Sequence, residues 1–169
     1  MEVTILYEDE NLLAVNKPSG LVVHADGRTT EATLTDWIKE KYPKLEDVGE
    51  PLKIGTGATI KRWGIIHRID RETSGLILVA KNQKTYVFIK EQFLNREIEK
   101  FYHLIVYGDV RYDEGIINLP IGRHKSDFRK RATGKVVRGE TREATTYYKT
   151  LARKEKISLV QANPKTGRT

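Results

Sequence analysis

The chain has 169 residues, no cysteine and a formal net charge of +7 at pH 7. That length suits one domain, which buries roughly 70% of its unfolded surface; the absence of cysteine excludes disulfides, thiolate catalysis and Cys-based zinc sites and fits a reducing cytosol. No run of 18 apolar residues occurs, which excludes a transmembrane helix, and Met1-Glu2-Val3 opens neither a basic nor an apolar leader, which excludes a secretory signal.

In chain order, Val3-Thr4-Ile5-Leu6-Tyr7 reads as a strand and Glu8-Asp9-Glu10-Asn11 as a polar turn. Leu12-Leu13-Ala14-Val15 is a short buried run, stopped by Lys17-Pro18-Ser19-Gly20, after which Leu21-Val22-Val23 resumes extended structure. Residues 33–41 read as a helix: Thr33 and Asp36 have capping-box spacing, Leu34, Trp37, Ile38 and Tyr42 form one apolar stripe, and Pro43 ends it. Residues 46–61 are loop-like, with Gly49, Pro51, Gly55 and Gly57 among them. Leu76-Ile77-Leu78-Val79-Ala80 is apolar on both faces, so it is expected at the centre of a sheet. Residues 83–95 suit a helix with Tyr86, Ile89, Gln92 and Phe93 on one side. Strands follow at 101–107, after the turn at Glu114-Gly115, at 141–150 and at 157–162, and the basic stretch 125–139 reads as an exposed hairpin or mobile loop. Strands in hairpin order with two interspersed helices imply an α+β fold with a mainly antiparallel central sheet and flanking helices.

Charge is unevenly placed. Residues 1–60 hold six Lys and Arg against eleven Asp and Glu, a net of −5; the remainder holds twenty-four against twelve, a net of +12. A basic half points to a polyanion, most simply nucleic acid, and the plain alternative is a solvated basic face.

The most specific segment is His67-Arg68-Ile69-Asp70-Arg71-Glu72-Thr73-Ser74-Gly75, which feeds directly into the apolar run. A rigid strand can aim such a polar knot at a substrate. Asp70 stands between two arginines, whose charge favours its ionised form, and an oriented carboxylate suits attack on, or stabilisation of, a cationic sugar carbon. The plain alternative is an Asp–Arg network that tethers a loop. Other patterns fail. Gly55-Thr56-Gly57-Ala58-Thr59-Ile60-Lys61 has neither phosphate-loop nor dinucleotide spacing. His24, His67, His103 and His124 have no metal-ligand spacing, and Asp70 with Glu72 does not make a glycosidase pair, because alternate residues point apart.

His67-Arg68-Ile69-Asp70 with Thr73-Ser74-Gly75-Leu76 resembles the signature of the RluA-type pseudouridine synthases. The resemblance runs through the whole chain. Ile5-Leu6-Tyr7-Glu8-Asp9 and Leu13-Ala14-Val15-Asn16-Lys17-Pro18-Ser19-Gly20 are similar to that family's first strands. Lys100-Phe101-Tyr102 with Val106-Tyr107-Gly108 is similar to its second motif, Leu119-Pro120-Ile121-Gly122-Arg123 and Glu143-Ala144-Thr145-Thr146-Tyr147 to later segments, and Pro164-Lys165-Thr166-Gly167-Arg168-Thr169 to the start of its third.

The resemblance implies an isomerase that converts uridine to pseudouridine in structured rRNA or tRNA. It implies no metal or organic cofactor, no membrane, a cytoplasmic location and a monomer. Asp70 matches the essential aspartate. Arg68 matches an arginine that enters the RNA stack while the target uridine is flipped out, and Tyr102 a tyrosine that packs on the base. His67 orients the knot and is grouped with Arg68 and Tyr102 at the substrate. Arg168 has a supporting role. These roles suit the chemistry, since a buried base must be extruded and a planar cation can fill the gap. The family's third motif continues into an arginine that pairs with the aspartate, and the sequence stops before it. Residues 1–169 are therefore expected to be a catalytic domain lacking its last part, with no separate N-terminal RNA-binding module. A non-catalytic RNA-binding module or RNA chaperone of the same fold is the second hypothesis, and a nucleoside glycosidase the third.

Overall fold

A computed structural model describes residues 2–25, 30–53, 57, 59–127 and 130–166. The chain is α+β and divides into two compact units, Met1–Asn95 and Arg96–Thr169. The first unit holds thirteen basic and fourteen acidic residues, a net of −1, and the second seventeen and nine, a net of +8. Among the described residues no helix is long and apolar enough to cross a membrane.

The first unit is built on strands β1 (Thr4–Glu8), β2 (Leu12–Lys17) and β5 (Gly75–Ala80), paired antiparallel in the order β1-β2-β5. The β1–β2 turn closes because the Asp9 carboxylate accepts the backbone N–H groups of Asn11 and Leu12, each at 2.7 Å. Helix α1 (Leu34–Lys41) carries the expected capping box between Thr33 and Asp36, and its Leu34 and Ile38, four residues apart, are buried completely. Leu13, Val15, Ile65, Ile77 and Val79 are equally buried. A second cluster joins Ile66, Ala80 and Tyr86 to Leu78, Ile89 and Phe93, so helix α2 (Gln83–Leu94) packs on β5 through the side read from the sequence. Two-residue strands β3 (Leu52–Lys53) and β4 (Thr59–Ile60) pair inside the stretch read as loop.

Two expectations are corrected. The apolar run of β5 is not central: β2 is the middle strand. On β5, Ile77 and Val79 are fully buried on one face, and on the other Leu78 and Ala80 join the cluster with α2 while Leu76 is exposed; none of this requires a strand on each edge. Its outer edge is covered by residues 64–67, where Ala80 N–H donates to Gly64 O (2.8 Å), Ile66 N–H to Leu78 O (3.1 Å) and Leu78 N–H to the His67 ring (3.1 Å). Residues 21–23 form no strand either. Val22 makes one parallel bridge to Thr33, and the Val22 and Val23 carbonyls accept the N–H groups of Leu34 and Thr35, which the start of α1 leaves without helical partners.

The second unit contains β6 (Tyr102–Tyr107), β7 (Glu114–Asn118), β8 (Ile121–His124), β9 (Arg131–Ala132), β10 (Val137–Arg142), β11 (Thr145–Lys154) and β12 (Ile157–Pro164). Four of them form an antiparallel sheet in the order β6-β12-β11-β7, and three a smaller one in the order β10-β8-β9. The basic stretch 125–139 is thus a hairpin arm of the smaller sheet, apart from residues 128 and 129, which lie outside the described residues.

Gly64 sets the entry into the Asp70 segment. Its φ is +75°, and a Cβ there would lie 2.2 Å from the Ala80 carbonyl oxygen. Gly64→Ala is expected to destabilise the protein by about 2–5 kcal/mol through backbone strain and overlap together, read as a lowered urea midpoint.

Candidate active site

Asp70 lies on the connection from residues 64–67 into β5. Arg68 and Asp70 are exposed while Ile69 between them is 8% exposed, so one buried side chain anchors two presented ones. The Asp70 carbonyl accepts the Thr73 N–H at 3.2 Å, closing a tight turn. The Asp70 carboxylate makes no hydrogen bond or ion pair among the described residues, and neither does the Arg68 guanidinium.

What holds this turn is Lys17. It is the last residue of β2, opposite Gly75 in the register, and it is completely buried. Its ammonium donates to three carbonyl oxygens: Leu21 at 2.8 Å, Pro18 at 2.9 Å and Arg71 at 3.0 Å. The same junction is tied by Gly20 N–H to Arg71 O (2.8 Å) and by the Ser19 hydroxyl to Glu72 O (2.7 Å). The turn after β2 and the turn bearing Asp70 are thus clasped together. Burial lowers the Lys17 pKa below its ordinary value, while the charges of Glu72 and Asp70 pull it up.

Arg71 belongs to the clasp and forms no pair with Asp70. Its guanidinium donates to Glu31 at 2.7 Å and to Gly20 O at 3.1 Å, and lies 3.6 Å from Glu72. The plain alternative, an Asp–Arg network through Asp70, is not what Arg71 forms: it bonds the neighbouring turn instead.

His67 is half-buried. Its Nε2 accepts the Leu78 N–H, which places the ring proton on Nδ1 when the ring is neutral, and the ring packs on Phe93 with centroids 4.8 Å apart. These are contacts of a positioning residue. Tyr102 opens β6 in the second unit, half-buried and paired with Ala162. Arg168 lies outside the described residues. The structure thus gathers His67, Arg68 and Asp70 on one segment.

Sequence reasoning missed Lys17 as the clasp. A signal was present: Leu13, Val15 and Lys17 share one face of β2, and all three are fully buried. It also missed His24, which is 6% exposed. Its Nδ1–H donates to the Thr35 hydroxyl at 2.9 Å, and that hydroxyl donates to Val23 O at 2.8 Å. Nε2 remains a buried acceptor without a partner among the described residues. Burial first, then Arg62 and Arg68, depress the His24 pKa to about 4. Among the described residues no group of three or more His, Asp or Glu side chains could hold a metal ion.

The sequence matches the profile described as RNA pseudouridylate synthase over residues 11–169. It is 40% identical, over 99% of its length, to an Aquifex aeolicus protein named Uncharacterized RNA pseudouridine synthase, and covers 49% of that protein. It is 35% identical, over 98% of its length, to the ribosomal large subunit pseudouridine synthase D of Blochmanniella floridana, covering 47% of it. The solved structure of human RNA pseudouridylate synthase domain containing 1 superposes with a TM-score of 0.76 at 21% identity, over 99% of this chain and 61% of that one. The chain has the pseudouridylate synthase fold and belongs to the RNA pseudouridylate synthase family, of the RluA type that its motifs resemble. It spans about half the length of the curated relatives it matches.

Two outcomes follow from the geometry. Lys17→Met leaves three carbonyls without their donor, so it is expected to cost about 2–4 kcal/mol and to speed amide exchange at Gly20 more than at Val15. For His24, the folded pKa lies below the unfolded one. Its stabilising share is therefore complete above about pH 6.5 and is lost as the pH falls towards 4, roughly 3 kcal/mol in all. His24→Gln should shrink the gap between urea midpoints at pH 7 and pH 4.5, while the acid sensitivity of the carboxylates persists.

Proposed function

We propose that the chain supplies the catalytic aspartate of an enzyme that isomerises uridine to pseudouridine in structured RNA. The carrying observation is the Asp70 carboxylate: exposed, without a partner among the described residues, and fixed on a turn clasped from two sides. A carboxylate held this way can meet the anomeric carbon of a flipped nucleotide. The C1′–N1 bond breaks, the uracil turns, and C5 bonds to C1′; the proton C5 gives up balances the one N1 takes. Lys17 acts through the backbone of this turn and touches no substrate.

Arg68, exposed two residues before Asp70, is assigned to the gap that the flipped base leaves in the stack. Tyr102 is assigned to the face of the base, and Arg168 to a supporting contact. The second unit's charge of +8 suits the RNA backbone. Ribosomal RNA is the favoured substrate, because two relatives are named for the large ribosomal subunit. On the same family reading, the work falls in the cytoplasm and needs no metal or organic cofactor.

The test incubates the full-length protein that contains these residues with uridine-labelled large-subunit rRNA and tRNA transcripts and measures pseudouridine. Conversion is expected with the rRNA, and Asp70→Asn should lower it on the order of 1000-fold while leaving RNA affinity within about threefold. Conversion that survives Asp70→Asn removes Asp70 from the chemistry. RNA binding without any conversion supports the non-catalytic RNA-binding module instead.

A further inference from the structure

The smaller sheet of the second unit carries a cluster that this reading leaves unused. In the β10–β8 pair, Arg138 stands directly opposite Arg123. Like charges at directly opposed positions repel. Neither arginine makes an ion pair or side-chain hydrogen bond among the described residues, and neither does Lys125.

The backbone is shaped around the pair. From Arg138↔Arg123 to Arg142↔Ile121, β10 advances four residues while β8 retreats two. This bulge contains Gly139 at φ +75°, and bulges re-aim the side chains beside them. Across from it, a Cβ on Gly122 would lie 2.2 Å from Val137 Cγ1 and 3.0 Å from the Glu140 carbonyl oxygen, so the strands approach more closely there than a side chain allows.

A cavity of about 520 Å³ opens at this place, lined by Arg123, His124, Lys125, Ser126, Arg138 and Gly139. The His124 Nδ1 accepts the N–H groups of Ser126 (3.2 Å) and Asp127 (3.3 Å). The proton of the neutral ring is therefore on Nε2, which is left as a donor. Among the described residues no carboxylate lines the cavity. Two guanidinium forks, one ammonium, an imidazole N–H and a hydroxyl make a donor set matched to a phosphate oxyanion.

We infer that this cavity is a phosphodiester seat, which holds the RNA backbone between Arg123 and Arg138 with Lys125 and His124 beside them. The inference rests on the proposed RNA substrate and adds a grip outside the Asp70 segment. The test is fluorescence anisotropy of the full chain with a labelled rRNA transcript across a potassium chloride series. Each neutralised phosphate contributes about 0.7–0.9 to the slope of log K against log salt.

Arg123→Gln with Arg138→Gln should flatten that slope by about 0.7–0.9, the share of the one phosphate the seat holds, and weaken binding at least about tenfold at low salt. Arg123→Lys with Arg138→Lys should recover the slope but not the full affinity, because the fork is lost. Lys154→Gln with Lys156→Gln removes the same charge from exposed positions elsewhere and should change the slope less than half as much. If the double glutamine variant does not fold, Arg138→Gln alone should give half its effect.

An unchanged slope, or an equal change in the Lys154 and Lys156 control, overturns the seat while wild-type binding keeps the RNA reading intact. Failure of the wild type to bind RNA overturns both. Inorganic phosphate binding that depends on Arg123 and Arg138, alongside an unchanged RNA slope, marks a free-anion site and also overturns the seat.

Discussion

The first unit depends on one buried ammonium. Taking the Lys17 charge out of water is costly, and the fold offsets that cost with three carbonyl oxygens and no carboxylate in direct contact. The choice of acceptor matters. A carboxylate bound directly to Lys17 would have its charge consumed there. Carbonyls satisfy the three N–H bonds while Asp70 and Glu72 act on the ammonium only from a distance. The clasp thus joins residues 54 positions apart in the chain and leaves the Asp70 carboxylate free of protein partners among the described residues.

The second support comes from β5. Its ladder with β2 fixes one edge of the strand, and residues 64–67 fix the other. Where a fourth strand would offer another carbonyl, the His67 ring accepts the Leu78 N–H. The Asp70 turn is therefore held at both ends, by an imidazole on its approach and by an ammonium where it enters β5. The two units divide the electrostatic work. One is close to neutral and presents the carboxylate, and the other carries a net positive charge of +8.

Much of this was legible in the sequence because it is local. The Thr33–Asp36 box, the buried side of α2 and the β11–β12 hairpin follow from spacing and periodicity, whereas β6 and β7 read as neighbours and lie at opposite edges of their sheet. The segment bearing Asp70 was legible as a motif. The remainder is decided by partners distant in sequence. The apolar run of β5 announces burial, but burial by a helix and burial between strands look alike in one dimension. Residues 21–23 read as strand, yet their carbonyls serve the first turn of α1. The arginine next to Asp70 reads as its partner, but Arg71 reaches Glu31 and the Gly20 carbonyl, 40 and 51 residues away. Lys17 was the readable exception, a charged residue in phase with Leu13 and Val15.

The imidazole acceptor on the edge of β5 also sets where the chain can vary in length. From Leu78 back to His67 the path is counted at both ends by hydrogen bonds, and a one-residue insertion or deletion would pull either the ring from Leu78 or the Arg71 carbonyl from Lys17. Between α1 and Gly64, the count is marked among the described residues by the pairing of β3 with β4, by Gly64 N–H to Val48 O (2.8 Å) and by the Lys61 pairs with Glu46 and Asp47. Insertions and deletions among relatives should therefore avoid the path from His67 to Leu78, eleven positions apart.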